Sequence, residues 1–301
     1  MPERVKGAGR LLEEKNLEQY EKTGFLAGAC KLFHIKDCIQ RDFPFHYHDF
    51  YKIIYFAGGN VRYRIEGKTY RLKPHDFVLV DYHAIHKPEI EGGVPYERYI
   101  IYLSEEFMNH KNKQGECLKH CFDLAGQKGN HVLHFAPGSY ENLLGCLMRI
   151  EQEEQEKQDF LRDRMLEAAF LEFMVLFNRA CLAQPKAFIK TAVYHEKIVD
   201  VISYIQTHLT ENISIDFLSD TFYISRYYLM RQFKEATGYS IHQYINEKRI
   251  LEARRRILSG EPASKVCFDC GYSDYSTFAR RFKEITGTAP SMLKEGRYHS
   301  E

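Results

Sequence analysis

The stretch "RQFKEATG", Arg231–Gly238, returns as "RRFKEITG", Arg280–Gly287, an offset of 49 residues. The match extends beyond these words. Asp220 pairs with Asp269, Tyr223 with Tyr272, Ser225 with Asp274 and Leu229 with Phe278 at the same interval. A segment said twice at a fixed interval marks one supersecondary unit used twice.

Each copy carries the signals of two helices around a tight break. In "SIDFLSDTFYISRYYLMRQFKEATG", Ile215, Leu218 and Phe222 share one helical face. The break falls at Tyr223-Ile224, and Ser225 suits the N-cap of a second helix. There Leu229 and Phe233 face inward, and Gly238 suits the residue that ends a helix. In the second copy Val266 and Cys267 mark the first helix and Gly271-Tyr272 the turn. Asp274 is the cap, Phe278 and Phe282 the inward face, and Gly287 the stop. A short helix, a tight turn and a capped second helix make a helix-turn-helix.

With the inward positions assigned, the outer faces of the two second helices follow. The first displays Arg226, Tyr227, Met230, Arg231 and Lys234; the second displays Tyr275, Ser276, Thr277, Ala279, Arg280 and Lys283. Arg231 and Arg280 are equivalent, and each can hydrogen-bond a guanine edge in a bidentate way. Lys234 and Lys283, nearer the helix ends, suit phosphate. Charge is distributed to match. Residues 222–300 hold 14 Lys/Arg against eight Asp/Glu, so a chain of total charge +1 carries about −5 elsewhere. Between the copies, Ile241, Tyr244, Ile245, Leu251, Ile257 and Leu258 mark a connecting helix over Ser240–Leu258. At about 1.5 Å per residue it spans about 28 Å. One turn of duplex DNA is about 34 Å, so such a helix can hold two readers in successive major grooves of one duplex.

The first half of the chain has a different texture. From about Leu32 to Tyr102, "YKIIYFAGG", "NVRYRIEGKTYRL", "DFVLVDY" and "ERYIIYL" read as short strands separated by Gly- and Pro-containing turns. This spacing predicts a small sandwich or barrel. Leu143, Leu144, Leu147 and Ile150 then mark one helix. Leu161, Met165, Leu166, Ala169, Phe170, Phe173 and Phe177 mark a second. Between them "EQEEQEKQ", residues 151–158, has no apolar face. The helix pair either covers the strands or forms a dimer seam. "AQPKAF", around Pro185, is the expected linker, and from Tyr194 on the chain reads as helical. With 301 residues, 44% hydrophobic and 28% charged, the chain has room for about two soluble domains. It has no run approaching a membrane span. The N-terminus lacks the apolar core of a signal peptide. The eight cysteines are scattered, so reduced thiols and the cytoplasm are expected.

The run "KRILEARRRIL…ASKVCFDCGYSDYSTFARRFKEITGTAPSML" resembles the signature of AraC/XylS-type transcription regulators, over about Lys197–Arg297. By position, the resemblance implies base-facing Tyr227, Met230 and Arg231 in the first unit, and Tyr275, Ser276, Thr277 and Arg280 in the second. Where the family commonly has "IA" in the second unit, this chain has Val266-Cys267, a conservative core change. The segment "FPFHYHDFYKIIYFAGGNVRYRIEGKTYRLKPHDFVLVDYHAIHKP" resembles the cupin-like effector domain often found ahead of that module. The fold class implied is α+β: an N-terminal cupin-like β-barrel followed by helices, then an all-α double helix-turn-helix domain. Its boundaries are 1–184 for effector binding with the helix pair, 185–194 for the linker and 195–301 for DNA binding. The partners implied are double-stranded DNA with a bipartite operator, a small-molecule effector such as a sugar, a second copy of the chain, and RNA polymerase. No cofactor is called for.

Metal-binding cupins converge an H-x-H pair, a following Glu and a later His on one ion. His46, His48 and His86 match the histidines, but Lys52 stands at the Glu position, and a cation there opposes a divalent metal. The expected role of His46, His48, Lys52 and His86 is therefore an effector site, or a brace at the barrel mouth, and not a metal centre. A metal-dependent cupin enzyme with an accessory helical domain is the alternative function, and Lys52 is its weak point. Cys267 and Cys270 form a C-x-x-C, but Cys267 matches the core residue Leu218 and no second pair stands at zinc-site spacing. Cys117, His120 and Cys121 have no identifiable further ligand and read as ordinary packing residues.

Overall fold

Near-continuous apolar runs such as Ile53–Phe56 and Phe77–Val80 produce strands buried on both faces. The computed structural model describes residues 26, 28–38, 42–109, 115–155, 160–189, 192, 193 and 195–293. The N-terminal stretch considered as a leader, the last residues of the 151–158 charge run, Tyr194, Lys294 and Arg297 lie outside the described residues. The described chain separates into two compact units. One takes the residues up to Ile65 and from Thr69 to Val193; the other takes Glu66–Lys68 and those from His195 on.

In the first unit the strands are β1 (Cys30–Asp37), β2 (Tyr51–Gly58), β3 (Val61–Ile65), β4 (Lys68–Arg71), β5 (Asp76–Val80), β6 (His86–Ile90), β7 (Tyr96–Leu103), β8 (Val132–His134) and β9 (Ala192–Val193). They form two sheets, β1-β7-β2-β5-β8 and β6-β3-β4-β9. The small sandwich or cupin-like barrel expected is present as these two sheets, which do not close into a continuous barrel; isolated bridges such as Asp42–Glu89 and His46–His86 stand beside them. The "EGK" hairpin forms as read, with Glu66 and Gly67 both at positive φ (45° and 80°), as a tight antiparallel turn requires. β6 carries Pro88 and lies at a sheet edge, where the missing N–H costs no ladder bond.

Two cores follow from the pleat. Ile54, Phe56, Val78, Val80, Ile100 and Tyr102 meet Val61, Tyr63 and Tyr70 between the sheets. Their neighbours Tyr51, Ile53, Tyr55, Phe77, Leu79, Ile101 and Leu103 face helices instead. Those helices are α1 (Glu105–Met108), α2 (His120–Lys128), α3 (Pro137–Gln155) and α4 (Arg162–Ala183). Leu143, Leu147 and Ile150 of α3 and Ala169, Phe170, Phe173 and Phe177 of α4 are buried as expected. Leu161 and Met165 are not: both are exposed, with Phe160 and Met148. Among the described residues no helix is long and apolar enough to cross a membrane.

The second unit contains α5 (Glu196–Thr207), α6 (Ile215–Thr221), α7 (Arg226–Thr237), α8 (Ile241–Leu258), α9 (Ala263–Asp269) and α10 (Tyr275–Thr286). The caps are those the repeat announced. Ser225 Oγ accepts from Tyr228 N, Asp274 accepts from Thr277 N, and Gly238 and Gly287 end their helices at φ 80° and 78°. Leu218, Leu229, Phe233, Val266, Cys267, Phe278 and Phe282 are fully buried, whereas Ile215 and Phe222 are half-buried. Since Phe233 and Phe282 anchor equivalent helices, Phe233→Ala and Phe282→Ala should each lower unfolding free energy by about 3–5 kcal/mol. Chemical denaturation followed by circular dichroism measures this, and a cost near zero for either would contradict its anchoring role.

Candidate functional site

Two places concentrate chemistry, one in each unit. In the second unit, burying Leu229 and Phe233 turns the opposite face of α7 outward. Arg226, Tyr227, Met230, Arg231 and Lys234 are all exposed, Tyr227 to 72%. On α10 the same logic exposes Tyr275, Ser276, Thr277, Arg280 and Lys283, while Ala279 is half-buried. The cations differ in availability. Arg226 is paired with Asp216 of α6. Among the described residues neither Arg231 nor Arg280 has a carboxylate within ion-pair distance, so both guanidinium forks are open to a planar acceptor. The Asp274 carboxyl is held below the usual range by the Thr277 N–H it accepts from, and Arg280 contributes weakly.

Other basic residues of the same tally face inward. α8 has buried side chains around much of its circumference: Ile241, Tyr244, Ile245, Ile250, Leu251, Ala253 and Ile257. Tyr244 packs edge-on against Phe233 of the first helix-turn-helix, with centroids 5.3 Å apart. Ile250, Ala253 and Ile257 join Val266, Phe278 and Phe282 of the second. Arg249, on the same helix, donates to three backbone carbonyls: Leu209 O at 2.7 Å, Glu211 O at 2.6 Å and Gly271 O at 3.0 Å. The first two precede α6, and the third is the turn between α9 and α10. Gly271 sits at φ +82°, and a Cβ there would meet Thr210 O at 2.6 Å. Arg256 is likewise held, by Glu261 and Asp269. Sequence reasoning counted Arg249 and Arg256 only as positive charge. Nothing in "NEKRILEARRRIL" distinguishes an inward guanidinium from an outward one.

In the first unit, His46 and His86 exchange both backbone hydrogen bonds in an isolated antiparallel bridge, at 3.1 and 2.9 Å. His48, two residues on, shares the face of His46. The three rings meet: centroids lie 4.3 Å apart for His46–His86 and 5.0 Å for both His46–His48 and His48–His86. One ligating atom from each lies within 4.8 Å of the others. His48 stacks on Phe50, and Tyr63 stacks on His86. Lys52 is buried in the same interior, its ammonium 5.8 Å from the Tyr102 ring centroid. Burial first, and Lys52 next, push the His46 pKa down to about 4 and that of His48 well below the ordinary value. His86 moves the same way, from burial and then from His46 and Lys52. All three imidazoles are thus neutral at pH 7. Among the described residues, His48 Nδ1 and Nε2, His86 Nε2 and Tyr63 Oη are buried without a hydrogen-bond partner. Such atoms are costly unless a ligand meets them. The structure thus brings the four sequence-predicted residues into one interior and adds Tyr63, which strand alternation hides among core aromatics. Cys267 and Cys270 are buried in the second core, and Cys121 is buried beside α4.

Comparison with known proteins matches both halves. A model of the AraC-like ligand binding domain covers residues 31–174, and a model of a helix-turn-helix domain covers 218–296. The HTH-type transcriptional activator RhaS of Escherichia coli O157:H7 (strain EC4115 / EHEC) is 23% identical over 261 residues, 86% of this chain and 90% of RhaS. RhaS of Shigella sonnei (strain Ss046) matches to the same extent. Among solved structures, ToxT of Vibrio cholerae is 16% identical, covers 88% of this chain and 97% of its own, and has a TM-score of 0.35.

The Arg249 clasp leads to a prediction. Arg249→Met keeps much of the aliphatic stem but leaves three carbonyls without their donor, so unfolding free energy should drop by about 2–4 kcal/mol. Hydrogen exchange should quicken first at Gly271 and at the loop before α6. An unchanged exchange pattern would mean the clasp does not join those segments.

Proposed function

Because this chain belongs to the AraC/XylS-type transcription regulators, we propose that α7 and α10 read two half-sites of a bipartite duplex operator. The chain is a DNA-binding regulator with an AraC-like ligand-binding domain, and not a cupin enzyme with a helical accessory. The observation that carries the finer reading is the pair of exposed guanidinium groups, Arg231 and Arg280, at equivalent positions of two helices on one scaffold, neither with a carboxylate at ion-pair distance among the described residues. Each is assigned to a guanine edge. Arg226, Tyr227 and Met230 flank the first, and Tyr275, Ser276 and Thr277 the second. Lys234 and Lys283 neutralise phosphate. α8, 18 residues long, spans about 27 Å, which suits half-sites about one helical turn apart.

The effector is a small polar molecule, with sugars the class to test first, held by His46, His48, Lys52 and His86. The buried unpaired nitrogens there support a polar ligand over an apolar one. Effector binding belongs to residues 1–184 and DNA reading to 195–301, joined through 185–194, in a cytoplasmic protein that acts on RNA polymerase. We assign homodimer formation to α3 and α4, on the exposure of Met148, Phe160, Leu161 and Met165.

Selection from random duplex DNA at fixed salt, followed by sequencing, should return a two-part motif. Recovery of no enriched sequence would end the two-reader assignment. Arg231→Ala and Arg280→Ala should each relax one half of the motif and cost about 1–3 kcal/mol. Lys234→Ala should weaken all sequences alike and lower the salt slope by about 1. In sedimentation experiments Met165→Glu should shift the dimer to monomer. A monomeric wild-type chain at micromolar concentration would refute the seam.

A further inference from the structure

The turn of the first helix-turn-helix carries a strain that nothing in its own packing repays. Tyr223 sits there at φ 52°, in the left-handed region that crowds any residue with a Cβ. The turn of the second unit makes its left-handed step with Gly271, at φ 82°. The fold has no use for a tyrosine ring at 223. Its side chain is 86% exposed, and among the described residues nothing hydrogen-bonds its hydroxyl. By contrast Tyr272, beside Gly271, is buried in the second core.

The backbone that presents this ring is held from behind. Tyr223 O accepts from the Lys197 ammonium of α5 at 3.0 Å. Ser219 Oγ donates to Ile224 O at 2.6 Å, and Ile224 N donates to Ser219 O at 3.1 Å. Lys197 is exposed, and an ammonium with one N–H on Tyr223 O keeps two more donors. The turn runs directly into Ser225, the N-cap of α7, and then the exposed Arg226 and Tyr227. In a docked helix-turn-helix the start of the second helix faces base edges while the first helix crosses the backbone. The turn between them therefore lies beside the phosphates.

We propose that Tyr223 and Lys197 hold the DNA backbone at the first half-site. The Tyr223 hydroxyl donates to a phosphate oxygen, and the Lys197 ammonium neutralises charge beside it. The proposal rests on the reading of α7 as a DNA reader. Tyrosine and lysine are both ordinary phosphate donors, and such contacts fix register without carrying sequence information. Tyr223 thus sets how α7 enters the groove, and Arg231 reads what lies there. The second unit, with glycine at its turn, has no counterpart, so the first half-site is the more firmly gripped.

The test uses the full-length chain with the duplex recovered by selection and an unrelated duplex. Tyr223→Phe should weaken binding to both about tenfold, as loss of a hydrogen bond to a charged group does. The enriched motif and the salt slope should not change. Lys197→Met should weaken both and lower the salt slope by about 1. Tyr223→Gly should raise the melting temperature by about 2–4 °C by releasing the strain, yet bind as weakly as Tyr223→Phe. Loss of structure does not produce a more stable variant with poorer binding. Arg231→Ala is the control on the underlying reading. If it relaxes its half of the motif while Tyr223→Phe binds like the wild type, the proposal falls and the two-reader function stands. Intact DNA binding by Tyr223→Phe with loss of transcription by RNA polymerase would assign the ring to a protein partner and overturn it equally. A lower melting temperature for Tyr223→Gly removes the strain and overturns it too. If the folded wild-type protein binds no duplex, both readings fall.

Discussion

The second unit depends on one helix being shared by two cores. α8 contributes Tyr244 and Ile245 at one end, and Ile250, Ala253 and Ile257 towards the other. A helix buried this way cannot turn about its axis to suit one neighbour without exposing apolar surface to the other. Packed interiors tolerate such shifts poorly. The two readers are therefore set by a single rigid rod. Arg249 reinforces it with hydrogen bonds to backbone on both sides. The close approach of Gly271 to Thr210 O leaves no room for a side chain between them.

Within that frame the duplication separates what must be the same from what is free to differ. The phenylalanines, the glycine stops and the N-caps recur because they shape each reader. The outer positions diverge. Tyr227 and Tyr228 on one helix correspond to Ser276 and Thr277 on the other, and Met230 to Ala279. At these positions the first face is bulky and the second small and hydroxylic, although Tyr275 adds one aromatic ring to it. Arg231 and Arg280, with Lys234 and Lys283, are what the faces share, so common strong contacts are surrounded by two different sets of weaker ones. Such divergence makes the two half-sites distinguishable, and one chain then has a direction on its DNA.

The repeat, its caps and its core were legible because each rests on local chemistry: a hydroxyl or carboxylate accepting an amide, an apolar face at helical period, a glycine at positive φ. The main strands were legible for the same reason. Closure of the sheets was not, because alternation reports that a strand has two faces and not which strand stands across from it. Leu161 and Met165 were placed on a buried stripe by periodicity, but Leu161, the N-cap of α4, lies at φ 55°. The helix proper begins after it, so the expected stripe loses its first turn. Arg249 and Arg256 were hidden among identical neighbours, since direction along a helix is decided by packing that a single chain does not spell out.

The histidines show the same boundary at the scale of one side chain. Their spacing made His46, His48 and His86 candidates, and Lys52 argued against a metal. Spacing cannot show that the 46–86 bridge brings the two rings within 4.3 Å, tilted against each other, or that the carbonyls of Pro44 and Ala84 decide which nitrogen bears the proton. Once those carbonyls are in place, the inner nitrogens are committed as acceptors. Burial keeps them from acquiring a second proton, and no donor among the described residues meets His86 Nε2. A lone pair so prepared is satisfied by an incoming hydrogen-bond donor.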